Sequence, residues 1–199
     1  MKMEEYLKVM DMTYLEYCDY LQEKYGVGLC DFMTKSFNKN PKVTRTKEGL
    51  IAHHKMEDRM ILLSTRNVAK DYPFEWQQKE NIVYCDYLEH LLLHVLITIF
   101  PAEKTYFPKD YVGVGGIITF IAPELNDVYS GWITKQTWRR NCHLRVLNDK
   151  DVYLAILKQY IDKKGTSHTL DQLCKSYNAK FGSWSEANNK AIYKEIREL

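Results

Sequence analysis

No C-x-x-C pair occurs in this chain: its five cysteines, Cys18, Cys30, Cys85, Cys142 and Cys174, are odd in number and widely scattered. That absence excludes a zinc ribbon and a dithiol redox motif, and the expectation is reduced, mostly buried thiols. Neither sign of charge dominates, because 28 Lys and Arg stand against 26 Asp and Glu. Any basic footprint must therefore be local. A phosphate-cradling loop is also missing. In "YVGVGGIITFI", residues 111 to 121, the G-x-G-G has no Lys-Ser or Lys-Thr tail and leads into a β-branched, strand-like run, so close backbone packing or a bend is expected there. No apolar run approaches the length needed to span a bilayer, and the acidic, helical "MKMEEYLKVMDM" is not an apolar signal segment. These absences lead to the expectation of a cytoplasmic protein with no membrane partner. What remains is ordinary hydrophobic and charged content over 199 residues, enough for one compact domain with appendages.

Along the chain the pattern runs from helix to a mixed centre and back to helices. "MTYLEYCDYLQEKYG" has helical spacing, with Gly26 as its C-terminal stop. "FNKNPKVTRTKE" is polar, carries Pro41, and reads as a loop bearing Lys39, Lys42, Arg45 and Lys47. "GLIAHH" is too short for a helix and reads as a strand ending at His53 and His54, whose side chains then point to opposite faces. Met60 to Lys79 forms a polar, helix-like excursion broken at Pro73. "DYLEHLLLHVLITIF" is the most legible helix: Asp86 with Glu89 three residues on has the form of a capping box, and the segment is apolar on nearly every side.

His90 and His94 stand four residues apart on that helix, hence on one face. A buried imidazole without a partner leaves a donor or acceptor unsatisfied, so both need one. One histidine on an apolar helix is an ordinary core residue, but H-x-x-x-H together with H-H at a strand end points to metal ligation. Three neutral imidazoles with open coordination positions make a catalytic arrangement, and the fourth histidine is then free for proton transfer.

Read together, "HH" at 53 and 54, Asn81, and His90 with His94 resemble the HNH, or His-Me-finger, nucleases, in the form most similar to the colicin-type DNases. The resemblance spans roughly residues 45 to 98. It implies an α+β fold in which a small ββα-metal core, residues 45–100, lies between an N-terminal helical segment (1–44) and two further segments (101–150 and 151–199). It also implies one divalent ion, Zn, Ni, Mn or Mg, held by His53, His90 and His94. His54 would be the general base that activates water. Asn81 would hold the loop and orient that base, or would be an ordinary turn residue. Arg45 would correspond to the arginine that neutralises the scissile phosphate. Glu57 would be a partner behind a ligand histidine or a solvated loop acid. The implied activity is endonucleolytic hydrolysis of DNA, most readily double-stranded, in phage or bacterial DNA processing or defence. The alternative is a non-catalytic nucleic-acid-binding or interaction module that keeps the metal only to hold its fold.

The rest of the chain would supply the grip. "GWITKQTWRRNCHLR", residues 131 to 145, interleaves Trp132 and Trp138 with Lys135, Arg139, Arg140 and Arg145, which with Lys47 are the candidate phosphate contacts. The alternative is an amphipathic helix with its tryptophans in the core and His143 structural or at the surface. The C-terminal stretch reads as two helices across a turn at Gly182, with Ser183 or Ser185 as cap: a packing or interaction hairpin through which the protein could meet a second copy or another protein, rather than a DNA-reading pair.

Overall fold

The structure, a computed structural model, describes residues 1–164, 167–176 and 186–199. The fold is mixed α+β, helical apart from a small two-stranded antiparallel sheet. Its N-terminal helices are α1 (Met3–Val9) and α2 (Tyr14–Tyr25). Thr13 and Glu16 close a capping box at the start of α2, and Gly26, at φ 81°, ends it where a side chain would be strained. Strands β1 (Ile51–His54) and β2 (Ile82–Cys85) pair with Ile51 opposite Cys85, His53 opposite Val83 and His54 opposite Ile82. Between them the excursion holds a 3₁₀ turn at Lys55–Asp58, the short helix α3 (Arg66–Ala69) and another 3₁₀ turn at Phe74–Gln77 that follows Pro73.

Helix α4 (Tyr87–Ile99) begins one residue after β2. Asp86 accepts from the backbone of Leu88 and Glu89 while the Glu89 carboxylate accepts from the Asp86 backbone, the capping box read from the sequence. Leu88, Leu91, Leu92, Leu93, Val95, Leu96 and Ile97 are all fully buried. Removing each from water stabilises the fold by roughly 1.5–3 kcal/mol, which makes α4 the axis of the core. Around it pack α2, α6 (Thr137–Val146) and α7 (Lys150–Lys164). One continuous hydrophobic cluster joins side chains from Met1 to Ile196, so the segments divided in sequence share a core. The remaining described helices are α5 (Ala122–Tyr129), α8 (Ser167–Leu173) and α9 (Lys190–Arg197). Among the described residues no helix is long and apolar enough to cross a membrane. The turn expected at Gly182, with its cap at Ser183 or Ser185, lies outside the described residues.

The glycine-containing run departs from expectation. Gly116–Ile121 is not strand-like but a turn of π-helix that runs directly into α5. Ile117 and Ile121, four apart, are buried in the cluster around α4, so helical spacing serves their burial better than strand alternation does. Gly116 lies against the ring of His94, where a Cβ would collide with the imidazole. A π-type turn of this kind often marks a functional site.

Candidate metal centre

Strand alternation separates His53 from His54. His53 turns toward α2 and α4, its ring edge-on to those of His90 and His94 at 5.1 and 5.3 Å between centroids. The 3₁₀ turn after β1 brings Glu57 back beneath it. The ligand atoms of His53, Glu57, His90 and His94 all lie within 4.8 Å of one another. The Glu57 carboxylate stands 3.4 Å from His53 Nδ1 and 3.6 Å from His94 Nε2. Expected behind the ligands or in solvent, Glu57 instead shares their focus.

Partners on the far side of two rings determine which nitrogen faces that focus. The Tyr14 hydroxyl donates to the backbone oxygen of His54 at 3.2 Å and stands 2.9 Å from His53 Nε2. With its proton already placed, the hydroxyl accepts from Nε2–H, which leaves a lone pair on Nδ1 of His53. That nitrogen is buried without a hydrogen-bond partner. His94 Nδ1 lies 3.2 Å from the Gly113 carbonyl, which can only accept, so the lone pair of His94 is on Nε2, 3.2 Å from Nε2 of His90. Two lone pairs and a carboxylate thus converge, and of these the lone pair of His94 meets Nε2 of His90. A divalent cation fits this donor set.

The electrostatics agree with that fit. Burial, reinforced by the neighbouring imidazoles, holds His53 and His90 well below the usual histidine range, and burial pushes His94 down to about 4. All three are therefore neutral, the form that ligates. Burial alone pushes Glu57 up to about 8. The ion-pair neighbours of its carboxylate among the described residues are His53, His54 and His94. A divalent ion would return Glu57 to its anionic form.

His54 faces the other side of the strand yet lines the same cavity, of about 420 Å³, with His53, Glu57, His90 and His94. Its ring packs edge-on against Phe32 at 4.4 Å, its Nε2 lies 3.1 Å from Gln77 Oε1, and its Nδ1 is 4.0 Å from Glu57 Oε1. Burial, partly offset by the Gln77 bond, holds its pKa at about 4. The remaining wall is mostly apolar, with Leu62 and Phe120 both partly exposed.

Other expected site residues lie apart. Asn81 donates its side-chain amide to the Glu75 carbonyl at 2.8 Å, which ties the loop, but Gln77 and not Asn81 contacts His54. Arg45 is engaged elsewhere: it pairs with Glu48, donates to the Tyr25 carbonyl at 2.5 Å and covers the Tyr84 ring, outside the cavity wall. Of the basic-aromatic stretch, Arg139 pairs with the buried Glu124 and stacks on Trp132, and Arg145 donates to the Glu48 carbonyl and the Tyr25 hydroxyl. Both serve packing between elements. Lys47, Lys135 and Arg140 are exposed, as is half of Trp138, whereas His143 is buried and bonded to Glu124.

Tyr14, Gln77, Gly113 and Gly116 are not legible as site residues in the sequence. Each acts across 19 or more residues of chain, at positions where an ordinary tyrosine, glutamine or glycine carries no local signal. Compared with known proteins, the chain matches no family model, no curated protein and no solved structure.

Proposed function

We propose that this chain is a divalent-metal-dependent nuclease that hydrolyses phosphodiester bonds, DNA foremost, around a ββα-metal core of His-Me-finger type. The observation that carries the reading is the convergence of His53, Glu57, His90 and His94 from a hairpin and the helix that follows it, with His54 on the wall of the same cavity. His53 would ligate through Nδ1 and His94 through Nε2, with His90 and Glu57 completing the set. A bound ion supplies Lewis-acid stabilisation of the charge that develops on the phosphoryl and leaving oxygens. His54, neutral and beside the ligand group, takes the proton of the attacking water. The mostly apolar wall lowers the local dielectric and so strengthens these interactions.

The test is plasmid cleavage by the purified chain, stripped by chelator and then given Mg, Mn, Ni or Zn, beside His54→Ala. Metal-restored cleavage that falls by about 10²- to 10⁴-fold in the variant, with metal stoichiometry unchanged, supports the reading. Cleavage that persists in His54→Ala removes His54 as base. One observation favours a second reading, a module whose metal only holds the fold: with Glu57 in the ligand group, four protein ligands are available, as in a closed structural site. That reading expects no cleavage with any metal, and unfolding on chelation.

A further inference from the structure

The hydrogen-bond inventory around His54 extends inward by one residue. Gln77 is buried, at 1% exposure, on the 3₁₀ turn that follows Pro73. Its amide nitrogen donates to the Leu63 carbonyl at 3.2 Å. A carbonyl oxygen can only accept, so this bond fixes which way the amide faces: Oε1 must be the atom turned toward His54 Nε2. Oε1 has no proton to give. The proton of that contact therefore belongs to His54 Nε2, and in a neutral imidazole the lone pair is then left on Nδ1. The turn is held in place by its own backbone, because the Gln77 carbonyl accepts from Phe32 N–H at 2.7 Å, and the Phe32 ring is the one packed against His54. Amide orientation, tautomer and ring packing thus derive from one residue. Gln77 occupies the orienting position that the family resemblance gives to Asn81.

We infer that Gln77 is a positioning residue that locks His54 in the Nε2–H tautomer and so leaves its lone pair on Nδ1, the nitrogen 4.0 Å from the Glu57 carboxylate. The expected effect on cleavage rests on the nuclease reading; the tautomer and its dependence on Gln77 do not.

The experiment is a long-range nitrogen–proton correlation spectrum of the ¹⁵N-histidine-labelled full chain loaded with zinc, which is diamagnetic, for wild type, Gln77→Leu and Gln77→Glu, with plasmid cleavage measured in parallel. The wild type is expected to show the Nε2–H pattern for His54, assigned by its loss in His54→Ala. Gln77→Leu should lose or average that pattern, whereas Gln77→Glu, which keeps an oxygen acceptor, should retain it. In cleavage, Gln77→Leu is expected to lower kcat by about 10- to 100-fold at unchanged KM and zinc stoichiometry, with rescue by Gln77→Glu. A wild-type His54 protonated on Nδ1, or a pattern unchanged in Gln77→Leu, overturns the inference. The wild-type spectrum decides the tautomer even if a variant fails to fold. If the spectra come out as expected but no metal supports cleavage in the wild type, the nuclease reading fails while the tautomer assignment stands.

Discussion

Two buried clusters in this chain are built from the same residue types and differ in one respect. In the first, Glu124 on α5 accepts from the guanidinium of Arg139 and lies 2.5 Å from His143 Nε2, both on α6; in the second, Glu57 faces His53, His90 and His94. Each leaves buried nitrogen unpartnered: Nδ1 of His143 in one, Nδ1 of His53 and of His90 in the other. The difference is the cation. Arg139 gives Glu124 a fixed positive partner, and although burial would raise that carboxyl, the bonds from Arg139 and His143 hold it below the usual range. Glu57 is raised by burial with nothing opposing. A cluster that carries its own counter-charge is a structural joint, whereas a carboxylate among neutral imidazoles could hold an ion from solution.

The comparison breaks most sharply if the ligands are removed. His90→Ala should abolish tight metal binding, and with it metal-dependent cleavage, while Arg139→Ala leaves the metal stoichiometry of the folded protein unchanged; elemental analysis of both variants reads this directly. Arg139→Ala should instead destabilise the fold by about 3 kcal/mol in urea unfolding, because it leaves a buried carboxylate without its main counter-charge. Metal at about one hundred times its Kd should raise the stability of the wild type by about 2.7 kcal/mol, and the rise should vanish in His94→Ala; thermal scans with and without chelator measure it. Gly116→Ala sharpens the comparison at finer scale. A Cβ there meets the His94 ring, so metal affinity should fall by about 10- to 100-fold, and the displaced ring should cost the metal-free fold about 1–3 kcal/mol. The smallest effect is on acid stability. Because the native pKa of Glu124 lies below its unfolded value of about 4.3, its contribution is complete above that pH and fades as pH falls through the depressed native value. Glu124→Gln should therefore lessen the steepness of acid unfolding below about pH 4.3.

The candidate ligand group is legible in the sequence where local rules apply. H-x-x-x-H on an apolar helix and H-H at a strand end placed His53, His90 and His94, and the Asp86 and Glu89 cap placed the start of α4, because period, spacing and capping are properties of neighbouring residues. The role of Glu57 is not legible because its position depends on the 3₁₀ turn at Lys55–Asp58, which no hydrophobic period announces. For Arg139 and Arg145 the sequence leaves phosphate contact and an amphipathic packing helix both open, because a basic, aromatic stretch looks the same whether its charges meet a ligand or the acids and carbonyls of distant segments. The π-turn at Gly116–Ile121 looks extended in sequence because β-branched residues favour strands in isolation, and here burial of Ile117 and Ile121 against α4 overrides that preference.

The passage from β2 to α4 through Asp86 alone has a consequence for how the chain tolerates changes in length. Inserting a single residue between Cys85 and Tyr87 would turn the following helix by about 100° relative to the strand and swing His90 and His94 away from His53. The stretch from Lys55 to Asn81 carries no such phase, since its two ends are pinned by the pairing of His54 with Ile82. Its exposed portions, away from Glu57, Asp58, Leu63, Ala69 and Gln77, can lengthen or shorten at an entropic cost that grows only slowly. The centre therefore behaves as a rigid strand-to-helix hinge joined to an adjustable loop, and indels introduced by mutagenesis should sort accordingly.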